Sequence, residues 1–207
     1  YLAICRTTFS EQRFIVQRIR KSVFPQPEVI MHNMRVLTDH CHAKLEAEAD
    51  RSDRIWQLPK IIQTKTGEDW VIDAQGDLWR AISQIASANA FDRVQNPEHA
   101  GEVGVVLGHF HRMVSDLPPE RLGYALPGFH VTPGYLAKLD AALATPEGQE
   151  RLEASLETKR ALRFVEERRG RCRVLQEALE RGDLTLRTTH GDPKVGNIMV
   201  DEATGRG

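Results

Sequence analysis

Near the C-terminal end of the 207-residue chain, side chains of four different chemistries occur within one short loop. They are His190, Asp192, Lys194 and Asn197 in HGDPKVGN, residues 190–197. An aspartate carboxylate can accept a proton from an attacking hydroxyl, and an asparagine carbonyl oxygen is a hard ligand of the kind that Mg²⁺ prefers. A lysine supplies positive charge where a transferring phosphoryl group develops negative charge. The loop therefore predicts phosphoryl transfer.

The spacing within the loop strengthens this prediction. Four residues separate Asp192 from Asn197, which is the spacing between the base and the metal-binding asparagine of kinase catalytic loops. We predict Asp192 as the base, Asn197 as a metal ligand and Lys194 as the residue that steadies the phosphoryl group. His190 is included in the catalytic set, with a role in holding the loop by hydrogen bonds. The alternative interpretation is a structural hairpin loop rich in Asp and Asn.

The first part of the chain predicts the elements that must support such a loop. The apolar, β-branched stretch 14–19 indicates a strand. Apolar residues at helical spacing predict a helix over 28–48, and their stripe is Ile30, Met34, Leu37, Cys41 and Leu45. Residues 60–85 predict a three-stranded meander, with a hairpin turn at KTGED and a second turn at DAQGD. The first part is thus predicted as a small α+β layer.

The second part is predicted to be mostly helical. We expect helices over 97–116, 133–145 and 146–181, the last broken near Gly170. Strand-like stretches at 184–190 and 197–201 flank the loop. The α+β chain is therefore divided into two predicted domains, 1–87 and 88–207.

Composition limits the partners of the chain. Hydrophobic residues make up 41% and charged residues 28%, which is ordinary for a globular protein. The formal net charge of −1 provides no basic field for nucleic acid or an anionic membrane, so neither is a predicted partner. Three widely spaced cysteines argue against a disulfide framework or a zinc site and favour a cytoplasmic location. The sequence lacks G-x-S-x-G and H-E-x-x-H, which disfavours a hydrolase.

THGDPKVGNIMVD resembles the H-G-D-x-x-x-x-N loop and following strand of the aminoglycoside phosphotransferase and choline kinase superfamily. FIVQRIRKSVFP (14–25), DLWRAISQI (77–85) and GFHVTP (128–133) are similar, in the same order, to segments of bacterial N-acetylhexosamine 1-kinases. The resemblance implies a two-lobed, protein-kinase-like fold with a nucleotide-binding N-terminal lobe and a helical C-terminal lobe. It also implies ATP as the phosphate donor, Mg²⁺ as the metal and an N-acetylhexosamine as the small-molecule acceptor.

The resemblance also implies a nucleotide site. Most kinases hold the α- and β-phosphates with a lysine on the third strand, whereas the matching position here is Gln17, with Arg18 beside it. This leaves open which cation holds the phosphates. The backbone near Ile85 and Ala86 is expected to meet the adenine. No helix glutamate matches the usual partner of the lysine, and Asn33 is near the expected depth.

For the acceptor, the resemblance points to the GFHVTP segment. His130 is expected to contact the sugar, and Val131 replaces the aspartate of the relatives' FHDTP segment, so that sugar preference is expected to differ. Two alternatives remain open. One is a kinase of another small acceptor, such as an aminoglycoside, choline or homoserine. The other is a non-catalytic binding module with a kinase-like fold.

Both ends of the chain are expected to continue. The resemblance places the glycine-rich phosphate loop before Tyr1 and a second metal-binding aspartate after Gly207. Since phosphoryl transfer requires the metal ions to neutralise the nucleotide's charge, residues 1–207 alone are predicted to have little or no kinase activity.

Overall fold

The computed structural model describes residues 1–6, 11–48 and 54–207. Its largest sheet is five-stranded and antiparallel. The strands are β1 (Leu2–Arg6), β2 (Glu11–Ile19), β3 (Ile61–Ile62), β4 (Val71–Ile72) and β5 (Leu78–Ser83). The long helix α1 (Pro27–Glu48) lies between β2 and β3 in sequence. The mixed helix and sheet content confirms the α+β prediction, and β2 and α1 confirm the predicted first strand and first helix.

The predicted meander over 60–85 is wrong in its pairing. β3 pairs with β5 through Ile61 and Ile82, and β4 pairs with the same edge of β5 through Val71 and Trp79. The predicted hairpin turn does form, and the Thr64 N–H donates to the carbonyl of residue 68 at 2.8 Å. It returns the chain to β5 rather than pairing β3 with β4, because both short strands find their hydrogen-bond partners along one longer strand.

Helix α1 packs on the sheet with one half and on a second helix with the other. Met31 is fully buried in a cluster that also contains Ile19, Ile61 and Leu78. Cys41 is fully buried in a second cluster, with Met113, Val114 and Leu117. Burial of each large apolar side chain contributes about 1.5–3 kcal/mol. The predicted apolar stripe packs in these clusters, whereas Met31 lies outside it.

The helix that contributes to the second cluster is α2 (Pro97–Met113). The Asn96 side chain accepts a hydrogen bond from the His99 N–H at 2.7 Å, and Pro97 occupies the first turn. This combination is a strong helix start. α2 ends three residues earlier than the predicted range of 97–116.

A two-stranded sheet joins β6 (Ala88–Ala90) to β7 (Met199–Asp201). β7 confirms the predicted strand at 197–201, whereas β6 was not predicted, because its sequence ANA carries no β-branched or aromatic residue. The predicted strand at 184–190 is wrong. Leu184 and Leu186 are exposed and pair with no strand in the described part of the chain, and the Thr188 hydroxyl instead donates to the Leu117 carbonyl at 3.0 Å.

The chain separates into two compact units. The first unit consists of Tyr1–Ala125 together with Arg187–Gly207, and the second consists of Leu126–Leu186. The second unit contains α3 (Thr132–Leu143), α4 (Pro146–Ala154), α5 (Leu156–Glu166) and α6 (Val174–Glu180). The predicted helix 146–181 is thus broken twice, and the break near Gly170 confirms the predicted one. One break is at Ser155, whose side chain caps α5 by accepting from the Thr158 N–H at 3.3 Å. The predicted division at residue 87 stays a prediction. Among the described helices, none is long and apolar enough to cross a membrane.

Candidate active site

The loop 190–197 is fixed at its C-terminal end by β7. Ile198 and Val200 are buried, whereas Met199 between them is exposed, and this alternation is that of a strand with one face in a core. The ladder pairs Met199 with Ala90 and Asp201 with Ala88. β6 begins two residues after Ala86. The loop is therefore held beside the segment that follows β5.

Inside the loop, the structure brings three predicted site residues together. The Asn197 side-chain N–H₂ donates to the Asp192 carbonyl and to its Oδ2, both at 2.9 Å. The Lys194 Nζ lies 3.5 Å from the same Oδ2. A 3₁₀ turn at Val195–Asn197 closes the loop. All three side chains are exposed, so they are accessible to a substrate.

His190 contacts the loop backbone. Its Nδ1 accepts a hydrogen bond from the Asp192 N–H at 3.3 Å, and its ring packs edge-to-face on Phe110 of α2, with centroids 5.3 Å apart. Gly191 has a φ of 79°, in the left-handed region that favours glycine. His190 thus contacts the backbone that carries Asp192, and its role in holding the loop stays a prediction.

The arrangement suits proton acceptance and oxygen-ligand metal binding. The exposed Asp192 carboxylate can accept a proton from a hydroxyl. Asn197 Oδ1 makes no hydrogen bond within the described residues, so it is available to a cation. An amide oxygen next to a carboxylate fits Mg²⁺, which takes few protein oxygens and keeps several waters. Over the described ranges, no cluster of three or more His, Cys, Asp or Glu side chains could hold a metal.

Ile85 and Ala86 lie beside this loop. Both line a cavity of about 280 Å³, together with Met199 and Asp201. Ile85 and Met199 also line a cavity of about 560 Å³, whose wall includes His190 and Asn197. Within the described residues, the backbone groups of Ile85 and Ala86 form no hydrogen bond. They are therefore available to a planar ligand with donors and acceptors at its edge.

Gln17 and Arg18 point to opposite faces of β2, as neighbours in a strand do. The Gln17 Oε1 accepts from the Arg80 Nε at 3.1 Å. Arg18 forms an ion pair with Asp77 at 3.2 Å. Both residues line an open cavity of about 660 Å³. Neither contacts the loop 190–197. Asn33 binds the Gly123 N–H and C=O, both at 2.7 Å, rather than Gln17.

Comparison with known families decides the assignment. The model of the phosphotransferase enzyme family, APH, matches residues 6–207. The chain belongs to this family. It is therefore a kinase-type enzyme that transfers phosphate to a hydroxyl acceptor, and its family uses ATP and a small-molecule acceptor.

In this phosphotransferase, His130 lies in the unit Leu126–Leu186. Its φ is 60°, which is uncommon for a residue other than glycine. The His130 N–H donates to the Tyr135 hydroxyl at 2.9 Å, and its ring packs on Phe129, with centroids 3.9 Å apart. These contacts fix the turn before α3. The role of His130 toward an acceptor stays a prediction.

Arg80 was not predicted as a site residue of this phosphotransferase. It lies on β5, directly opposite Gln17. The signal in the sequence was a single arginine inside the otherwise apolar run LWRAI. That signal is weak without the pairing of β2 with β5, because one arginine in a strand is commonly solvent-exposed.

Proposed function

We propose that this phosphotransferase transfers the γ-phosphoryl group of ATP to a sugar hydroxyl in a Mg²⁺-dependent reaction, with an N-acetylhexosamine as the acceptor. The observation that carries the proposal is the arrangement of Asp192, Lys194 and Asn197 around one carboxylate oxygen. The resemblance of GFHVTP and FIVQRIRKSVFP to N-acetylhexosamine 1-kinases supports the sugar acceptor.

In the proposed reaction, Asp192 orients the acceptor hydroxyl and takes its proton as the hydroxyl oxygen bonds to the γ-phosphorus. The bond from that phosphorus to the β,γ-bridging oxygen breaks, and ADP leaves. Lys194 balances the negative charge of the transferring group. Asn197 Oδ1 would hold Mg²⁺, which when bound neutralises charge on the phosphate oxygens. His190 keeps Asp192 in position through the loop backbone.

The donor nucleotide is proposed to place its adenine against Ile85 and Ala86. Their unpaired backbone N–H and C=O groups suit the edge of a purine, and the cavities that Ile85 lines also reach Met199 and Asn197. The adenine end and the catalytic loop would then share one wall of the site.

The test is an ATP- and Mg²⁺-dependent transfer assay on the full gene product that contains this chain. The acceptors are N-acetylhexosamines, other free sugars, choline, homoserine and aminoglycosides. We expect transfer to an N-acetylhexosamine, and Asp192→Asn should lower kcat about 10²–10⁴-fold because the proton acceptor is lost.

Asp183→Asn is the matched control, since Asp183 is an exposed carboxylate whose ion-pair partner among the described residues is Arg181, at 2.8 Å. It should retain wild-type turnover. Transfer to choline or an aminoglycoside alone would reject the sugar acceptor and keep the mechanism. Full activity of Asp192→Asn would reject the base.

A further inference from the structure

We infer that Arg80 is the cation that binds the phosphates of the nucleotide, with Gln17 holding its guanidinium group. The inference rests on the proposed function and names the phosphate-binding residue of that site. In this chain the charge would come from β5, opposite the strand position that carries a lysine in most kinases.

The contacts of Arg80 leave its charge without a counterion. Besides Gln17, its guanidinium contacts the Met34 Sδ of α1 at 3.1 Å. Both partners are neutral, and in the described part of the chain no carboxylate contacts Arg80. Burial lowers the pKa of the Arg80 guanidinium, with no opposing contribution from an acid. The group nevertheless stays protonated at neutral pH. A partly buried charge of this kind is stabilised by an anion.

The cavity beside Arg80 has the charge that an anion requires. It measures about 660 Å³, and its lining includes the cations Arg20 and Arg80 but no Asp or Glu among the described residues. A cleft lined by charge of one sign concentrates ligands of the opposite sign. The planar fork of an arginine is also suited to two oxygens of one phosphate. The cavity therefore fits a polyphosphate.

This cavity adjoins the one that contains the catalytic loop. Asn33 lines both of them. Met34, which contacts the Arg80 guanidinium, lines the cavity that also includes His190 and Asn197. Met34 thus lies between the Arg80 guanidinium and the cavity that includes His190 and Asn197, and the two cavities adjoin at Asn33.

Arg18 is the competing cation, and its surroundings differ. It forms an ion pair with Asp77, so an acid already offsets its charge. Arg18 is opposite Trp79 in the ladder, on the other face of the sheet from Gln17 and Arg80. A phosphate at Arg18 would compete with a carboxylate, whereas one at Arg80 would not.

The experiment is calorimetric titration of the full gene product with ATP, tripolyphosphate and adenosine. Arg80→Gln should weaken ATP and tripolyphosphate binding about 10- to 100-fold, because a charge-assisted contact is lost. Adenosine has no phosphate, so its affinity should change less than about twofold. Adding Gln17→Lys to Arg80→Gln should restore much of the ATP affinity by returning a cation to the facing strand. Arg13→Gln is the matched control, an exposed arginine of β2 paired with Glu11 at 2.8 Å.

Several results would overturn the inference. One is unchanged ATP affinity in Arg80→Gln. Another is an equal loss of ATP and adenosine binding in Arg80→Gln, which would show a structural role for Arg80. If misfolding were the cause, Arg80→Lys, which keeps the charge, would show the same loss of both ligands. A loss that follows Arg18→Gln instead would assign the phosphates to Arg18.

The same measurements distinguish failure of the Arg80 site from failure of the proposed function. Phosphate transfer that persists in Arg80→Gln with unchanged KM for ATP would keep the function and reject Arg80. Tripolyphosphate binding that depends on Arg80, in a protein that phosphorylates no acceptor, would keep the Arg80 site and reject the function.

Discussion

The loop 190–197 and the layer formed by α1 on β2 and β5 hold their polar groups in opposite ways. In the loop, Asn197 and Asp192 are five residues apart, and both are exposed. In the helix-sheet layer, Gln17 and Arg80 are 63 residues apart and partly buried. The loop is built by local contacts and stays open to substrate, whereas the layer depends on distant strands and holds these polar groups partly out of water.

This difference has an energetic consequence. Exposed polar contacts contribute about 0–1 kcal/mol to stability, since water and salt screen them. Partly buried contacts contribute more, and removal of one partner leaves the other desolvated at a cost of about 1–3 kcal/mol. Substitutions in the loop should therefore reduce activity without unfolding the protein, whereas substitutions in the layer should reduce stability.

Among the substitutions that distinguish the loop from the helix-sheet layer, Asn197→Ala is expected to have the largest effect, which is on activity. It removes the proposed Mg²⁺ ligand together with the hydrogen bonds to Asp192. We expect kcat to fall at least about 10-fold and the Mg²⁺ concentration for half-maximal activity to rise by a similar factor. Stability should change by less than about 1 kcal/mol.

The measurements are a Mg²⁺ titration of activity and a thermal unfolding curve. Asn89→Ala is the control, because Asn89 is an exposed residue of β6 whose side chain has no proposed ligand. It should titrate as wild type. An unchanged Mg²⁺ dependence in Asn197→Ala would remove Asn197 from the metal site, and a large loss of stability would contradict the local character of the loop.

The loop was predictable from the sequence because its contacts are local. The types and spacing of Asp192, Lys194 and Asn197 sufficed to predict that they meet, and β7 followed from the apolar run after them. The same local reasoning failed at 184–190. The alternation of Leu184 and Leu186 satisfied the strand pattern, but a strand also needs a partner edge, which no short window of sequence specifies.

The contacts of the helix-sheet layer were not predictable for the same reason. Arg80 faces Gln17 only because β2 and β5 pair in one register, and a shift of one residue would send Arg80 to the other face of the sheet. The pairing of β3 and β4 with one edge of β5 was not predictable either, because it depends on which backbone groups of β5 remain unpaired once β2 has paired with its other edge.

The next effect is on stability, at the ion pair that ties α1 to the strand edge. Arg35 of α1 donates to Asp69 through two nitrogens, with Nε 2.9 Å from Oδ2. The Asp69 side chain is only 16% exposed. We expect Asp69→Asn to lower the free energy of unfolding by about 1–3 kcal/mol at neutral pH, measured by urea denaturation.

The pH dependence gives a second test of this pair. The Arg35 guanidinium lowers the pKa of Asp69 in the folded state. Its stabilisation is therefore present above the carboxyl's unfolded pKa of about 4 and is lost as the pH falls through the lower folded value. The stabilities of the wild type and Asp69→Asn should begin to converge as the pH falls below about 4 and should meet only below the folded pKa. Asp39→Asn is the control, because Asp39 is an exposed partner of the same arginine, at 3.4 Å, and should cost less than about 1 kcal/mol.

The smallest expected effect is that of Gln17→Leu, which tests whether the layer also serves binding. The substitution removes the acceptor of the Arg80 Nε–H but keeps the charge of Arg80. Since a hydrogen bond of this kind contributes about 0.5–1.5 kcal/mol, ATP affinity should fall about 2- to 10-fold, less than in Arg80→Gln. Calorimetric titration with ATP and adenosine measures this, and Gln12→Leu, at an exposed position of the same strand, is the control.

The ratio of the two losses distinguishes how Arg80 is held. If Gln17→Leu weakens ATP but not adenosine, the guanidinium depends on Gln17 for its orientation toward the phosphates. If Gln17→Leu leaves ATP affinity unchanged while Arg80→Gln lowers it, then packing on Met34 and the strand register alone orient Arg80. Gln17 is then not a positioning residue. Gln17→Leu is expected to lower the free energy of unfolding in either case, because it leaves the Arg80 Nε–H without its acceptor. An equal loss of ATP and adenosine binding would instead give Gln17 a structural role.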